Sequence, residues 1–210
     1  KVVILIGAAS IRFMGGYAIS GYLPYMYSAV FDDYETIYAY LNAYVVAFGG
    51  FCSSIAGGWV TSKWVVTQPK ANYYVPAIGC LLGCPFIAIC CLSSNFYVSM
   101  LCGLFLEYLV AECWFGPYMS ALQSSLPPRV RGLGISVMMF SATFFGSLMS
   151  YAIGEWYDGC CDGSGAYIRY IVLYAVLGTY LTSAAGFYWA STIDDEPVAT
   201  ESKPLLSDEP

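Results

Sequence analysis

The sequence has no histidine and very little charge. Only 10% of its 210 residues are charged, against 59% that are hydrophobic. A soluble domain carries about 25% charged residues, and a folded surface must suit the solvent it faces. That solvent is therefore expected to be lipid. Lys and Arg number just eight against fourteen Asp and Glu, a net charge of −6, which argues against nucleic-acid binding. Without histidine, the nine cysteines lack the partners and spacing of a zinc site, and no metal or cofactor is expected. Seven of them fall in apolar stretches, where cysteine behaves as a small hydrophobe. No phosphate loop or nucleophile motif is present, so an enzyme is the least favoured class. The first residue is Lys1 and an apolar run follows at once, without a signal-peptide pattern, so a preceding segment is expected.

What the sequence has in abundance is apolar runs. A membrane-crossing helix needs about 20 mostly apolar residues, and six such runs occur, at about 2–27, 37–60, 74–92, 96–122, 133–156 and 167–190. The fold class expected is an all-α membrane protein of six transmembrane helices in one unit over 1–191. A disordered, acidic, cytosolic tail is expected over 192–210. Lys63 and Lys70 fall between runs two and three, and Arg129 and Arg131 between four and five, while Asp32, Asp33, Glu35, Asp158 and Asp162 fall on the other side. Basic residues mark the cytosolic side, so both ends are expected in the cytosol. Gly49-Gly50, Ala56-Gly57-Gly58 and the Gly79–Gly83 pair are candidate points of close helix approach.

Two stretches carry a family resemblance. At the end of run two, Gly58-Trp59-Val60-Thr61-Ser62-Lys63 resembles the loop motif of major-facilitator transporters. Gly58 and Lys63 match, and Ser62 stands where that family has an acid. The second stretch has Gly116-Pro117, then Gln123, then Pro127-Pro128-Arg129-Val130-Arg131-Gly132. It is similar to the junction between spans ten and eleven of spinster-like transporters. The resemblance covers about 1–191, mostly as span pattern. It implies the C-terminal six-helix half of a major-facilitator fold, with the N-terminal half as partner, missing here or in another chain. It also implies a lipid-like substrate such as a lysophospholipid or sphingolipid, and a lysosomal setting.

Charges inside a membrane are costly and are functional candidates by default. Arg12 lies about ten residues into run one, and Glu107 and Glu112 lie within run four. At about 1.5 Å per residue, Arg12 and Glu112 come to similar depth, each about 15 Å from the basic side, with Glu107 about 7 Å further out. In the resembled fold the equivalent spans line a central cavity, so Arg12 and Glu112 are expected to face it and to pair when it is empty. Two readings stand. Arg12 binds an anionic headgroup, whose geometry guanidinium matches, and a withdrawn carboxylate, Glu112 or Glu107, exchanges a proton. Alternatively, the charges form a permanent ion pair that fixes packing.

Other candidates carry similar alternatives. Gly116 and Pro117 mark a hinge or a static kink, as do Pro24 and Pro85. Arg129 and Arg131 set topology or close a gate. Glu155 reads as an interfacial charge. Cys160-Cys161 resembles the paired cysteines of tetraspanins, but Asp162 follows and six spans argue against that family. Glu201, Leu205 and Leu206 fit an acidic dileucine sorting signal for a sorting adaptor, favouring lysosomal or endosomal membranes over the plasma membrane. The function expected is a secondary transporter of a small organic or lipid-like solute, with the bilayer as its surroundings. The alternative is a non-transporting membrane scaffold derived from a transporter.

Overall fold

The computed structural model describes residues 1–160 and 165–193. Cys161, Asp162 and the tail bearing Glu201, Leu205 and Leu206 lie outside the described residues. The described chain is all-α, with six helices long and apolar enough to cross a membrane. The spans, numbered in chain order, are Val2–Val30, Asp32–Trp64, Ala71–Leu92, Val98–Ser124, Pro128–Gly159 and Tyr167–Thr192.

Several helices overrun the apolar runs that signalled them. Asp32 and Asp33 form a 3₁₀ turn with Tyr34, and Glu35 opens the following α-helix, so these acids, which fall between runs one and two, are the start of span two. Three carboxylates at a helix N-terminus complement its dipole, which is why the helix begins before the apolar run does. Span four begins where Asn95 Oδ1 accepts the Val98 N–H at 3.2 Å, a side-chain N-cap. The far end of span three is closed by Arg169 of span six, which donates to the Cys91 and Ser93 carbonyls at 2.6 and 2.8 Å. A cation on the last carbonyls of a helix satisfies acceptors that lack partners within it.

Span one is the hub. It packs along spans five and six and touches four; span three packs along spans six and four. Spans two and five are the least covered, with 22% and 17% of their apolar windows buried against 56% for span six. Small residues set the closest approaches. Gly103 lies against the backbone of Cys90, Gly146 against the Tyr17 ring and Gly186 against Ala8. Without a hydrophobic effect between helices in lipid, such backbone-level contacts hold the bundle. At the acidic end, Tyr27 stacks on Tyr38 with centroids 4.5 Å apart, and its hydroxyl meets Ser99 Oγ at 2.6 Å. Spans one, two and four are thereby tied together at that end.

Candidate functional site

Span four is where the helix geometry departs most from regular. It runs as a π-helix at Val98–Phe105, an α-turn at Leu106–Ala111, a 3₁₀ turn at Glu112–Trp114 and an α-helix at Phe115–Ser124. Pro117 supplies a reason for the 3₁₀ turn. Its ring crowds the carbonyl four residues back, that of Cys113, and it has no N–H to offer it. That carbonyl faces Gly57 of span two so closely that an added Cβ would clash with its oxygen.

The distortion decides where the two carboxylates point. Five residues apart on a regular α-helix, they would be turned about 140° from each other. Here both reach Arg12. Its Nη2 donates to Glu112 Oε1 at 2.8 Å and to the Ala111 carbonyl at 3.1 Å, and lies 4.0 Å from Glu107 Oε1. The guanidinium carbon is 4.1 Å from the Tyr180 ring centroid and 5.6 Å from that of Trp114, so two aromatic faces hold the cation.

The two carboxylates sit in different surroundings. Glu107 is fully buried and accepts a short hydrogen bond from the Tyr180 hydroxyl, while its Oε2 has no hydrogen-bond partner among the described residues. Glu112 is 31% exposed and stands at the edge of a cavity of about 270 Å³, lined among others by Arg12, Phe13, Tyr17, Ser20, Tyr108 and Trp114. Arg12 thus has a sealed carboxylate behind it and an accessible one in front.

The Tyr180 contact depends on two glycines. Added Cβ atoms at Gly15 and Gly83 would come 2.9 and 3.0 Å from opposite edges of its ring. Their bare Cα atoms form the slot through which Tyr180 crosses from span six to Glu107. Of the Gly79–Gly83 pair, Gly79 meets Cys113 and Gly83 meets Ala111 and Tyr180, so both face span four.

The remaining candidates are dispersed. Gly116 is exposed with open space beside it, and Pro117 is buried. Pro24 and Pro85 lie within unbroken helices. Gly58 also faces open space; its neighbour Gly57 makes the helix contact. Ser62, at the acid's place in the loop motif, donates to the Gly58 carbonyl at 2.8 Å, and Lys63 is exposed in the last helical turn. Arg131 donates to the Leu126 carbonyl at 3.2 Å, and Arg129 is exposed in the short 3₁₀ turn before it. Glu155 is exposed near the end of span five. Among the described residues no group of three His, Cys, Asp or Glu is placed to hold a metal ion.

The sequence alone singled out Arg12, Glu107 and Glu112, and the structure brings all three together. It did not single out Tyr180, Trp114 or Tyr108. With 20 tyrosines and five tryptophans in the chain, no single one stands out.

No family model and no curated protein matches this sequence. One solved structure matches in shape, titled a bacterial homolog to the human lysosomal transporter Spinster, in an inward-facing and unoccupied conformation. The match has a TM-score of 0.69 at 17% identity, over 91% of this chain and 47% of that one. The fold is one half of a major-facilitator fold. At this identity the likeness speaks for the fold, and this chain spans about half the length of the protein it resembles.

Proposed function

We propose that the chain is the C-terminal half of a secondary transporter, and that Arg12 receives the anionic group of an amphiphilic substrate. The observation that carries this reading is the asymmetry around Arg12. The cation is clamped by Tyr180, Trp114 and the Ala111 carbonyl, whereas Glu112 is the accessible partner at a cavity with aromatic walls. An anionic substrate group exchanges with Glu112 for the same guanidinium edge. A ligand that replaces an existing ion pair leaves no bare charge behind, which a buried cation could not tolerate.

Glu107 is the proposed site of a coupling proton. One guanidinium faces two carboxylates, and an unmatched charge at membrane depth is costly. A proton on Glu107 balances the cluster while Glu112 holds Arg12; an anionic group that displaces Glu112 is matched by a second proton taken up on Glu112, and Glu107 gives up its proton to become the counter-ion when the substrate leaves. Uptake of substrate and movement of the proton are then linked through one cation. Alternating access requires a second bundle, which the N-terminal half supplies, in the same polypeptide or another. Lysophospholipids and sphingolipids suit an anionic or zwitterionic head beside aromatic walls. A lysosomal or endosomal membrane, reached through Glu201, Leu205 and Leu206 and a sorting adaptor, fits the same reading. Gly116 and Pro117 serve as the hinge of span four, and Arg129 and Arg131 as the contact closing its basic end.

The test is uptake of a fluorescent lysophospholipid into proteoliposomes bearing the native polypeptide, with and without a pH gradient. Arg12→Gln is expected to abolish uptake. Glu112→Gln is expected to lower the half-saturating substrate concentration by removing the internal competitor. Glu107→Gln is expected to keep substrate exchange but lose stimulation by the gradient. Ser62 in the place of the acid of the loop motif favours a second reading, a membrane scaffold that does not transport. Under it, none of the three substitutions changes lipid movement, and all act only on stability.

A further inference from the structure

The outward side of span three carries two apolar grooves that share no lining residue with the Arg12 cavity. One, of about 220 Å³, runs between spans two, three and four, from Trp64 and Val75 to Leu82 and Leu109. The other, of about 450 Å³, runs between spans three and six, from Tyr74 and Tyr188 to Leu81 and Leu181. Ile78 belongs to both and forms the ridge between them. From residue 74 or 75 to residue 81 or 82 is about 10 Å along a helix. Both grooves therefore lie within the depth of a single leaflet, about 15 Å.

The mouths of both grooves are marked by aromatic rings and basic charge. Trp64, Tyr74 and Tyr188 form a row, with neighbouring centroids 6.1 and 6.4 Å apart. Rings of this kind sit at headgroup level. Lys70 precedes Tyr74 by four residues and so stands on the same helical face one turn further out, above the ridge of Tyr74 and Ile78. Lys63 follows Val60 by three residues and stands above the facing wall of the first groove. Both lysines are exposed.

We infer that span three binds one anionic, two-chain phospholipid of the leaflet at the basic end. Its phosphate sits between Lys63 and Lys70 beside the aromatic row, and its two acyl chains straddle Ile78, one in each groove. The charge selects the headgroup. The paired grooves select two chains, which separates this lipid from a single-chain substrate.

Native mass spectrometry of the purified native protein, titrated with dioleoyl phosphatidylglycerol, its single-chain lyso form or dioleoyl phosphatidylcholine, tests the assignment. A basic residue near an anionic surface contributes roughly a fivefold preference. Phosphatidylglycerol is therefore expected to bind roughly 25-fold better than phosphatidylcholine, with the lyso form weaker than its two-chain parent. Lys63→Gln with Lys70→Gln is expected to erase the headgroup preference, and Arg129→Gln with Arg131→Gln to leave it intact. Ala56→Trp and Ala185→Trp, each at a lipid-exposed groove wall, are expected to weaken both two-chain lipids without altering the preference. Equal binding of the two headgroups overturns the proposal. So does a preference that survives loss of both lysines or that disappears with Arg129 and Arg131. Retention of no two-chain lipid also overturns it and assigns the face to a protein partner.

Discussion

At the residue scale, the three charges around Arg12 are unequal in their consequences for stability. Removing Arg12 strips Glu112 of its ion-pair partner and leaves Glu107, whenever it gives up its proton, fully buried with only the Tyr180 hydroxyl to balance it. Removing Glu112 leaves Arg12 its Ala111 carbonyl, its two aromatic faces and Glu107 at 4.0 Å. Breaking a buried pair so that a bare charge remains costs about 3–5 kcal/mol. Losing one hydrogen bond to a charged group that keeps its other partners costs about 1.5–3 kcal/mol. Arg12→Ala is thus expected to lower the unfolding midpoint in detergent well below that of Glu112→Ala. The reverse order would mean that Glu107 does not depend on Arg12. These residues were legible in the sequence because so few charges occur within its apolar runs, and each of them stands out. Tyr180 was hidden for the opposite reason. Tyrosine abounds, and the slot that admits its ring is made by Gly15 and Gly83, two of 21 glycines on two other spans.

At the element scale, hydropathy locates the spans but not their internal breaks. The π segments at Val45–Gly49 and Val98–Phe105 contain nothing in their letters that forbids an α-helix. They lie where spans two and four pack together, with Gly49 against Tyr108. A π segment in a helix frequently marks a functional position, and here one ends two residues before Glu107. Pro117 was visible as a helix breaker, but its effect falls on the turn before it, which carries Glu112. Gly57 and Gly58 give a clean test of the packing. A Cβ at Gly57 meets the Cys113 carbonyl and Cys113 Cβ, whereas one at Gly58 meets nothing within 4 Å. Overpacking a tight contact costs about 1–3 kcal/mol, while alanine is favoured over glycine in a helix by about 1 kcal/mol. Gly57→Ala is expected to lower the unfolding midpoint and Gly58→Ala to hold or raise it. The reverse order would show that the residue matching the loop motif, and not its neighbour, makes the contact.

At the scale of the whole molecule, the charge pattern and the uncovered faces bear on one question, what completes the bundle. Lys1, Lys63, Lys70, Arg129 and Arg131 gather at one end, while Asp32, Asp33, Glu35, Glu155 and Asp158 lie at the other. That asymmetry supports a cytosolic basic end and was open to reading from the sequence, since it needs only the order of the spans. Which faces lack neighbours was not, because every span is apolar on all sides and lipid-facing and protein-facing positions look alike in composition. The structure distinguishes spans two and five as the least covered. Their exposed faces mix large apolar side chains with hydroxyls: Phe51, Ser54 and Ile55 on span two, and Phe140, Thr143, Phe144 and Ser147 on span five. Helix interfaces in membranes use small and hydroxyl residues in this way, so a second helical bundle suits these faces better than lipid alone. The shape match covers 47% of the larger protein, and the proposed transporter assigns the rest to that second bundle. Immunodetection and intact-mass measurement of the native polypeptide are expected to give roughly twice the 22.9 kDa of this chain, or to recover a second membrane subunit of similar mass with it. In either case, cysteines placed at Ile55 and Phe144 are expected to cross-link to that second bundle. A native protein of 22.9 kDa that purifies alone, with both cysteines open to lipid-soluble reagents, would leave the Arg12 cavity without a second wall and favour the scaffold reading.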